Sequence, residues 1–292
     1  MDFDSYDPKP LYRKFERLIG EGEVGGKAKG IAFSYEVITG SDLGKHVTLP
    51  DINYVLTTEV FDDFVKDNGI DRILENETLC RPGEGDENSQ EVLERLTQAF
   101  YKGIFRESLI SDIERIIRNI GDYPLAIRSS SLLEDSKMLS FAGKYYTCFS
   151  TNVGDVESRV LKITGCIRNV WASLYNPAAR AYRAKHGFCD RDEAMGIVIE
   201  PVAGKRYNNL YYPEIAGITF SKVYRRPSTR IRKEDGVTRL CFGMGTNSVD
   251  RLKARLFTFR THHSGPRATC PLRSVRQARM YLIISTFQMG SS

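Results

Sequence analysis

Short apolar runs bounded by turn residues alternate with longer stretches of helical spacing along this chain. Tyr54-Val55-Leu56, Leu125-Ala126-Ile127, Met195 to Ile199, Ile215 to Ser221 and Val237 to Phe242 have the length and β-rich composition of strands. Helical periods run from Leu11 to Leu18, Lys27 to Val37, Val60 to Lys66, Glu91 to Phe105 and Ser108 to Ile120, the last ending at Gly121 and Pro124. From Val153 to Arg183, residues Val160, Ile163, Ile167, Val170, Trp171, Leu174 and Tyr175 keep helical spacing until Pro177 starts a new turn. That periodicity assigns Trp171 to the core rather than to a ligand stack. Thr57 and Thr58 sit where a helix is capped and are read as structural. The polar stretch from Glu75 to Ser89, with Pro82, Gly83 and Gly85, reads as an exposed connection, and Tyr211 and Tyr212 border a turn. The pattern predicts an α+β body with two lobes around a cleft. Residues 1–10 are a flexible leader, 11–190 an N-terminal lobe, 191–252 a second lobe and 253–292 an atypical basic tail.

Two segments carry chemistry. In PLAIRSSSLLEDSKMLSFAGKYYT the strand ends at Arg128, bringing a guanidinium to the mouth of a sheet. Ser129, Ser130 and Ser131 then offer hydroxyl and backbone donors, and Phe141-Ala142-Gly143 forms a small loop that lets backbone approach a ligand. This set suits a polyphosphate; the alternative is an arginine paired with Glu134 or Asp135 on a surface turn. In EVGGKAKGIA, paired glycines precede a helix start, where backbone amides form an anion site and Lys27 adds a mobile positive charge. Lys29 is an auxiliary candidate or a helix-surface lysine. The full dinucleotide and P-loop spacings are absent. Ile197-Val198-Ile199-Glu200-Pro201-Val202 suits the wall of an adenine pocket, with Glu200 either in that pocket or an acid at a strand end.

Composition narrows the classes. At 292 residues and 41% hydrophobic, the chain is of ordinary globular make-up. No run of about 18 apolar residues marks a membrane span, and the acidic start MDFDSYD is unlike a secretory leader, so the cytoplasm is the expected location. Cys80, Cys148, Cys166, Cys189, Cys241 and Cys270 are scattered without a CxxC pair, which predicts reduced thiols and neither a zinc site nor a disulfide framework. The net charge of +5 concentrates in Arg225 to Lys233 and beyond Arg251, with little aromatic interleaving, so a solvated loop is favoured over a nucleic-acid contact.

Taken in order, VGGKAKGIA, LPDINYVLTTEVFDDFVKDNGI, PLAIRSSSLLEDSKMLSFAGKYYT, VWASLYNPAARAYRAKHG, GIVIEPVAG, EIAGITFS and LCFGMGTNSVDR resemble the N-terminal nucleotide-binding domain of phosphoenolpyruvate synthase, pyruvate phosphate dikinase and rifampicin phosphotransferase, over roughly Phe15 to Arg251. The resemblance implies an ATP-grasp-like fold, ATP and Mg2+ as cofactors, and ATP-dependent phosphoryl transfer. Lys27 and Arg128 match the phosphate-contacting pair and the catalytic candidates. Gly143 and Thr147 match a backbone and a hydroxyl contact, and Glu200 stands where glutamine lies by the adenine or ribose. Two departures matter. The family's GLGE motif, whose glutamate helps hold magnesium, here reads Gly243-Met244-Gly245-Thr246, leaving Asp250 as a weak metal candidate. None of His46, His186, His262 or His263 lies in a phosphohistidine context, so turnover implies a separate phosphohistidine domain or protein as partner. The sequence thus supports an ATP-binding module, the alternative being a non-catalytic nucleotide sensor; whether this chain is an enzyme stays open.

After Arg251 acids disappear through Ser292 while arginines accumulate. Two readings remain for 253–292. One is a basic nucleic-acid tail. The other is a frameshift product: codons for Lys253 to His262 can be chosen so that removing a single base yields KGDYSRFAL, similar to the family's continuation after VDR. The coding DNA separates the two.

Overall fold

The computed structural model describes residues 2–75, 87–133, 144–188, 193–220, 232, 236–243 and 255–259. Gly143 and Asp250 lie outside these residues. The chain divides into two units, one of 1–44 and 49–201, the other of 45–48 and 202–292.

The first unit is built on a mixed sheet of β1 (Leu18–Ile19), β2 (Tyr54–Leu56), β5 (Met195–Pro201), β3 (Leu125–Ser131) and β4 (Thr147–Ser150), in that spatial order. β1 and β2 run parallel and the other neighbours antiparallel. β5 was expected to open a second lobe. Instead it lies between β2 and β3, because its run of fully buried residues needs partners on both edges and cover on both faces.

Alternation along the strands divides the core in two. One face carries Ile19, Tyr54, Leu56, Leu125, Ile127, Cys148, Met195, Ile197 and Ile199, packed with α3 (Thr58–Asp67), the short α4 (Asp71–Leu74), α5 (Glu87–Lys102), α6 (Glu107–Ile120) and α7 (Val156–Ala172). Sequence dictates these helices locally. α6 buries Leu109, Ile113, Ile116 and Ile117 along one stripe and stops at Gly121, φ +75°. α7 starts where Asp155 accepts the Ser158 N–H at 2.7 Å, a bond that also holds the Asp155 carboxyl below its ordinary range. α8 (Pro177–Lys185) starts with Pro177 at its first position and Asn176 accepting from the Ala179 N–H.

Trp171 is fully buried, as its spacing predicts, among Phe61, Phe64 and Phe105, and its indole N–H donates to the Met195 carbonyl at 3.0 Å. Trp171→Ala is expected to destabilise the first unit by roughly 3–5 kcal/mol, since it empties an aromatic site and strips Met195 of its donor. Urea unfolding checks this, and a change below about 1 kcal/mol would remove Trp171 from the core.

The second face packs Val55 and Val198 against Val24, Ala28 and Ala32 of the segment leading into and along α2 (Gly25–Thr39), with Leu11 and Tyr12 of α1 (Lys9–Lys14) beside them. α1 is shorter than the helix predicted over 11–18 because Leu18 joins the sheet. Residues 2–8, expected as a flexible leader, rest on α2: Phe3 and Tyr6 meet the Phe33 ring edge-on at 5.2 and 5.4 Å. A further difference concerns the thiols. Cys148 of β4 and Cys166 of α7 form a disulfide, because α7 packs on the face to which Cys148 points, a proximity that sequence spacing does not display.

In the second unit β6 (Lys205–Tyr207) and β7 (Leu210–Tyr212) form a hairpin, so Tyr211 and Tyr212 lie in the strand that leaves its turn. β8 (Ile215–Phe220), β9 (Gly236–Phe242) and β10 (Arg255–Phe259) form an antiparallel sheet. β10 falls in the stretch read as an atypical tail, and its alternation of Leu256, Thr258 and intervening phenylalanines suits a strand. Residues 260–292 lie outside the described residues. Among the described residues no helix is long and apolar enough to cross a membrane.

Candidate functional site

The site begins where α2 meets β3. Gly25 opens the helix at φ +77°, and a Cβ there would lie 1.8 Å from the Ser130 carbonyl oxygen, so the helix start and strand touch as only glycine permits. Ser130 fastens the contact. Its Oγ donates to the Val24 carbonyl at 2.8 Å and accepts the Ala28 N–H at 3.0 Å, so it bridges the backbone groups four residues apart in the first turn of the helix. This corrects the reading of the serine run as three ligand donors: Ser130 is fully buried and works as a weld, and Ser129 and Ser131 are buried too.

Lys27, in the first turn of α2, extends to the same strand, its Nζ donating to the Ser129 carbonyl at 2.9 Å. Arg128 is the one residue of β3 that is not fully buried. It pairs across the sheet with Thr147 of β4 on one side and Val198 of β5 on the other. Side chains of directly opposed residues share a face, and so does Glu200, two residues beyond Val198. Arg128, Thr147 and Glu200 therefore stand on the face that carries Val198 and α2. Arg128 Nη1 donates to Glu200 Oε1 at 2.9 Å, with the two side chains 14% and 17% exposed. This cross-strand ion pair is one that only the β3–β5 register reveals; Glu134 and Asp135, the turn acids of the alternative, lie outside the described residues.

Of the predicted residues the fold thus assembles Lys27, Arg128, Thr147 and Glu200 around the middle of β3. Lys29 faces elsewhere: its Nζ donates to the Asp4 carbonyl at 3.1 Å and sits 5.3 Å from the centre of the Phe3 ring. A depression of about 490 Å³ adjoins the glycine turn, lined by Tyr6, Lys9, Gly25, Gly26, Lys29 and Leu132 among others. Arg128, Thr147 and Glu200 do not line it, so it marks the edge of the α2 start rather than the charged face. Lys27 and Arg128 offer the donors a polyphosphate takes. Among the described residues the fit for a divalent cation is poor, since Glu200 beside Lys27 and Arg128 is held by Arg128. Among the described residues no three His, Cys, Asp or Glu side chains are placed to hold a metal ion.

One group escaped the sequence reading. Glu193, Tyr145 and Arg183 are 4%, 9% and 0% exposed and touch one another beside the ends of β3 and β4. The available signal was Arg183 at four residues from Ala179, on the buried stripe of α8. Burial pushes the Glu193 carboxyl up to about 7, partly offset by the Leu133 N–H and by Arg183, and burial also raises the Tyr145 hydroxyl.

Residues 21–268 match the family described as the pyruvate phosphate dikinase AMP/ATP-binding domain. Among curated proteins the chain is 30% identical over 194 residues to a Bacillus subtilis protein described as an uncharacterized phosphotransferase, YvkC, covering 66% of this chain and 19% of that protein. It is 26% identical over 200 residues to a rifampicin phosphotransferase of Bacillus cereus, covering 68% and 21% respectively. It is 25% identical over 196 residues to a phosphoenolpyruvate synthase of Aeropyrum pernix, covering 65% and 22%. The match spans about a fifth of the length of these relatives.

Proposed function

We propose, for a chain that belongs to the pyruvate phosphate dikinase AMP/ATP-binding domain family, that the α2 face of the first unit holds the polyphosphate end of an ATP site. Lys27 and Arg128 bind the β and γ phosphates, Thr147 donates its hydroxyl beside them, and Glu200 accepts from the ribose or the adenine amino group. One observation carries this reading. Two cations from distant parts of the sequence, on a glycine-started helix and on a central strand, meet at adjacent residues of β3, Lys27 on the Ser129 carbonyl and Arg128 next to it. In that arrangement the charge that develops during phosphoryl transfer is met by preplaced donors, which is how such sites act. The wider proposal is an ATP-grasp-like, two-lobed module of a dikinase-type phosphotransferase, with Mg2+ brought by the nucleotide and a phosphohistidine domain or protein receiving the phosphoryl group.

A second reading, a nucleotide sensor without turnover, is favoured by Thr246 at the place of the family's metal glutamate. Calorimetric titration of the chain with ATP, with and without Mg2+, tests both. Saturable binding strengthened by Mg2+ supports the transferase module, equal binding without Mg2+ supports the sensor, and no binding in either condition removes the site.

The ion pair makes a further expectation. In the ligand-free chain Glu200 holds the guanidinium that the phosphates need, and its negative charge faces theirs. Glu200→Gln removes this ion pair and the negative charge facing the phosphates while keeping an acceptor for the nucleoside, so ATP affinity should rise by about 1 kcal/mol, about fivefold. The same titration checks it; weakened binding would mean that the carboxylate itself is the required contact.

A further inference from the structure

The end of β3 and the start of β4 are separated by residues 132–146, yet the two flanks are tied to a single carboxyl group. Glu193, just ahead of β5, accepts the Leu133 N–H on Oε1 at 3.3 Å and the Tyr145 hydroxyl on Oε2 at 3.2 Å. Arg183 of α8 completes the cluster. Its Nη1 donates to the Tyr145 hydroxyl oxygen at 3.3 Å and its Nη2 to the Leu174 carbonyl at 2.6 Å. Neighbouring bonds hold the same flanks: the Leu132 N–H donates to the Ala194 carbonyl, and the Tyr146 N–H to Ser173 Oγ. Two residues beyond Tyr145, Thr147 stands opposite Arg128.

We propose that Glu193 is a positioning residue for nucleotide binding, its carboxylate joining the flanks of β3 and β4 so that Thr147 and Arg128 keep the spacing a triphosphate requires. This rests on the ATP site proposed above. Chemistry distinguishes it from a filler role. An ionised carboxylate accepts both bonds at once, whereas its protonated form must donate from one oxygen and gives up an acceptor position. Among the described residues the groups facing the carboxyl are Arg183 of α8 and Tyr145 before β4. With Glu193 titrating near 7, the joint is made above neutral pH and loosened below it. Stability runs the other way. Because the folded value lies above the ordinary 4.5, the carboxyl's contribution to stability is fully present below about 4.5 and is lost as pH rises through about 7. Affinity and stability thus move in opposite directions with pH, which a merely structural residue does not produce.

Glutamine reproduces the shape of the protonated acid, so Glu193→Gln is the test. ATP titrations of both proteins at pH 5.5, 7 and 8.5, compared as a ratio of affinities, cancel the titration of the nucleotide itself. The wild type should bind about tenfold more tightly than the variant at pH 8.5 and equally at pH 5.5. Tyr145→Phe, which leaves Glu193 in place but removes the hydroxyl it shares with Arg183, should show the same loss at pH 8.5 if Glu193→Gln fails to fold. A ratio that does not change with pH overturns the role of Glu193 while leaving the ATP site standing. No saturable binding by the wild type at any pH overturns both.

Discussion

Gly25→Ala should unfasten α2 from β3, lower stability by about 3 kcal/mol and remove most ATP binding with it. Two effects add. A non-glycine residue in the left-handed region costs about 1 kcal/mol, and a methyl group forced 1.8 Å from the Ser130 carbonyl oxygen adds about 2 kcal/mol of overpacking. Relief requires α2 to move off the strand. That movement breaks the Ser130 bonds to Val24 and Ala28 and withdraws Lys27 from the Ser129 carbonyl, so stability and affinity fall together. Gly30 is the matched control. It lies in the same helix with φ in the ordinary range and no described atom within 4 Å of an added Cβ, so Gly30→Ala should leave binding unchanged and raise stability by up to about 1 kcal/mol. Thermal melts and ATP titrations of the two variants check this. Equal behaviour would mean that the close approach at Gly25 does not hold the site together.

Arg128→Ala should cost more binding energy than Lys27→Ala. Each removes charge-assisted hydrogen bonds to phosphate, about 2–3 kcal/mol, or a loss of about 30- to 150-fold. Removing Arg128 also leaves Glu200 largely buried without this partner and turned toward the incoming phosphates, which adds like-charge repulsion. The effects of Arg128→Ala and Glu200→Gln are therefore coupled: the double variant should recover part of the affinity lost by Arg128→Ala alone. Lys27 Nζ donates to the Ser129 carbonyl rather than to Glu200, so a smaller recovery is expected for Lys27→Ala with Glu200→Gln. Titration of the wild type, the three single and the two double variants with ATP measures both cycles. Strict additivity would separate Glu200 from the phosphate end of the site.

Much of this arrangement was legible in the residues. Tyr54–Leu56 matches its strand to the residue, Leu125–Ile127 marks the start of β3, and Trp171 takes its core place, because burial patterns along single elements are local. Lys27 and Arg128 were visible as charges in unusual company: glycines before a lysine, serines after an arginine. What depends on register was not visible. Arg128 meets Glu200 because β5 runs antiparallel beside β3, and nothing in the order of the sequence says that residues 72 apart are neighbours on one face. The same reason hid the Cys148–Cys166 contact and the Glu193, Tyr145 and Arg183 cluster, whose members come from three separate stretches. The serines illustrate the opposite error. Their hydroxyls suggested ligand donors, but at a central strand end fully covered by α2 the backbone of a helix start is the nearer acceptor and donor for Ser130.

The most direct measurement on the central claim is a calorimetric titration of ATP into the wild-type chain and Arg128→Ala under one pH, salt and Mg2+ concentration. Saturable binding by the wild type, weakened at least about 30-fold in the variant, is the expected result. Equal affinity in the two proteins would contradict the assignment of this sheet face to the nucleotide.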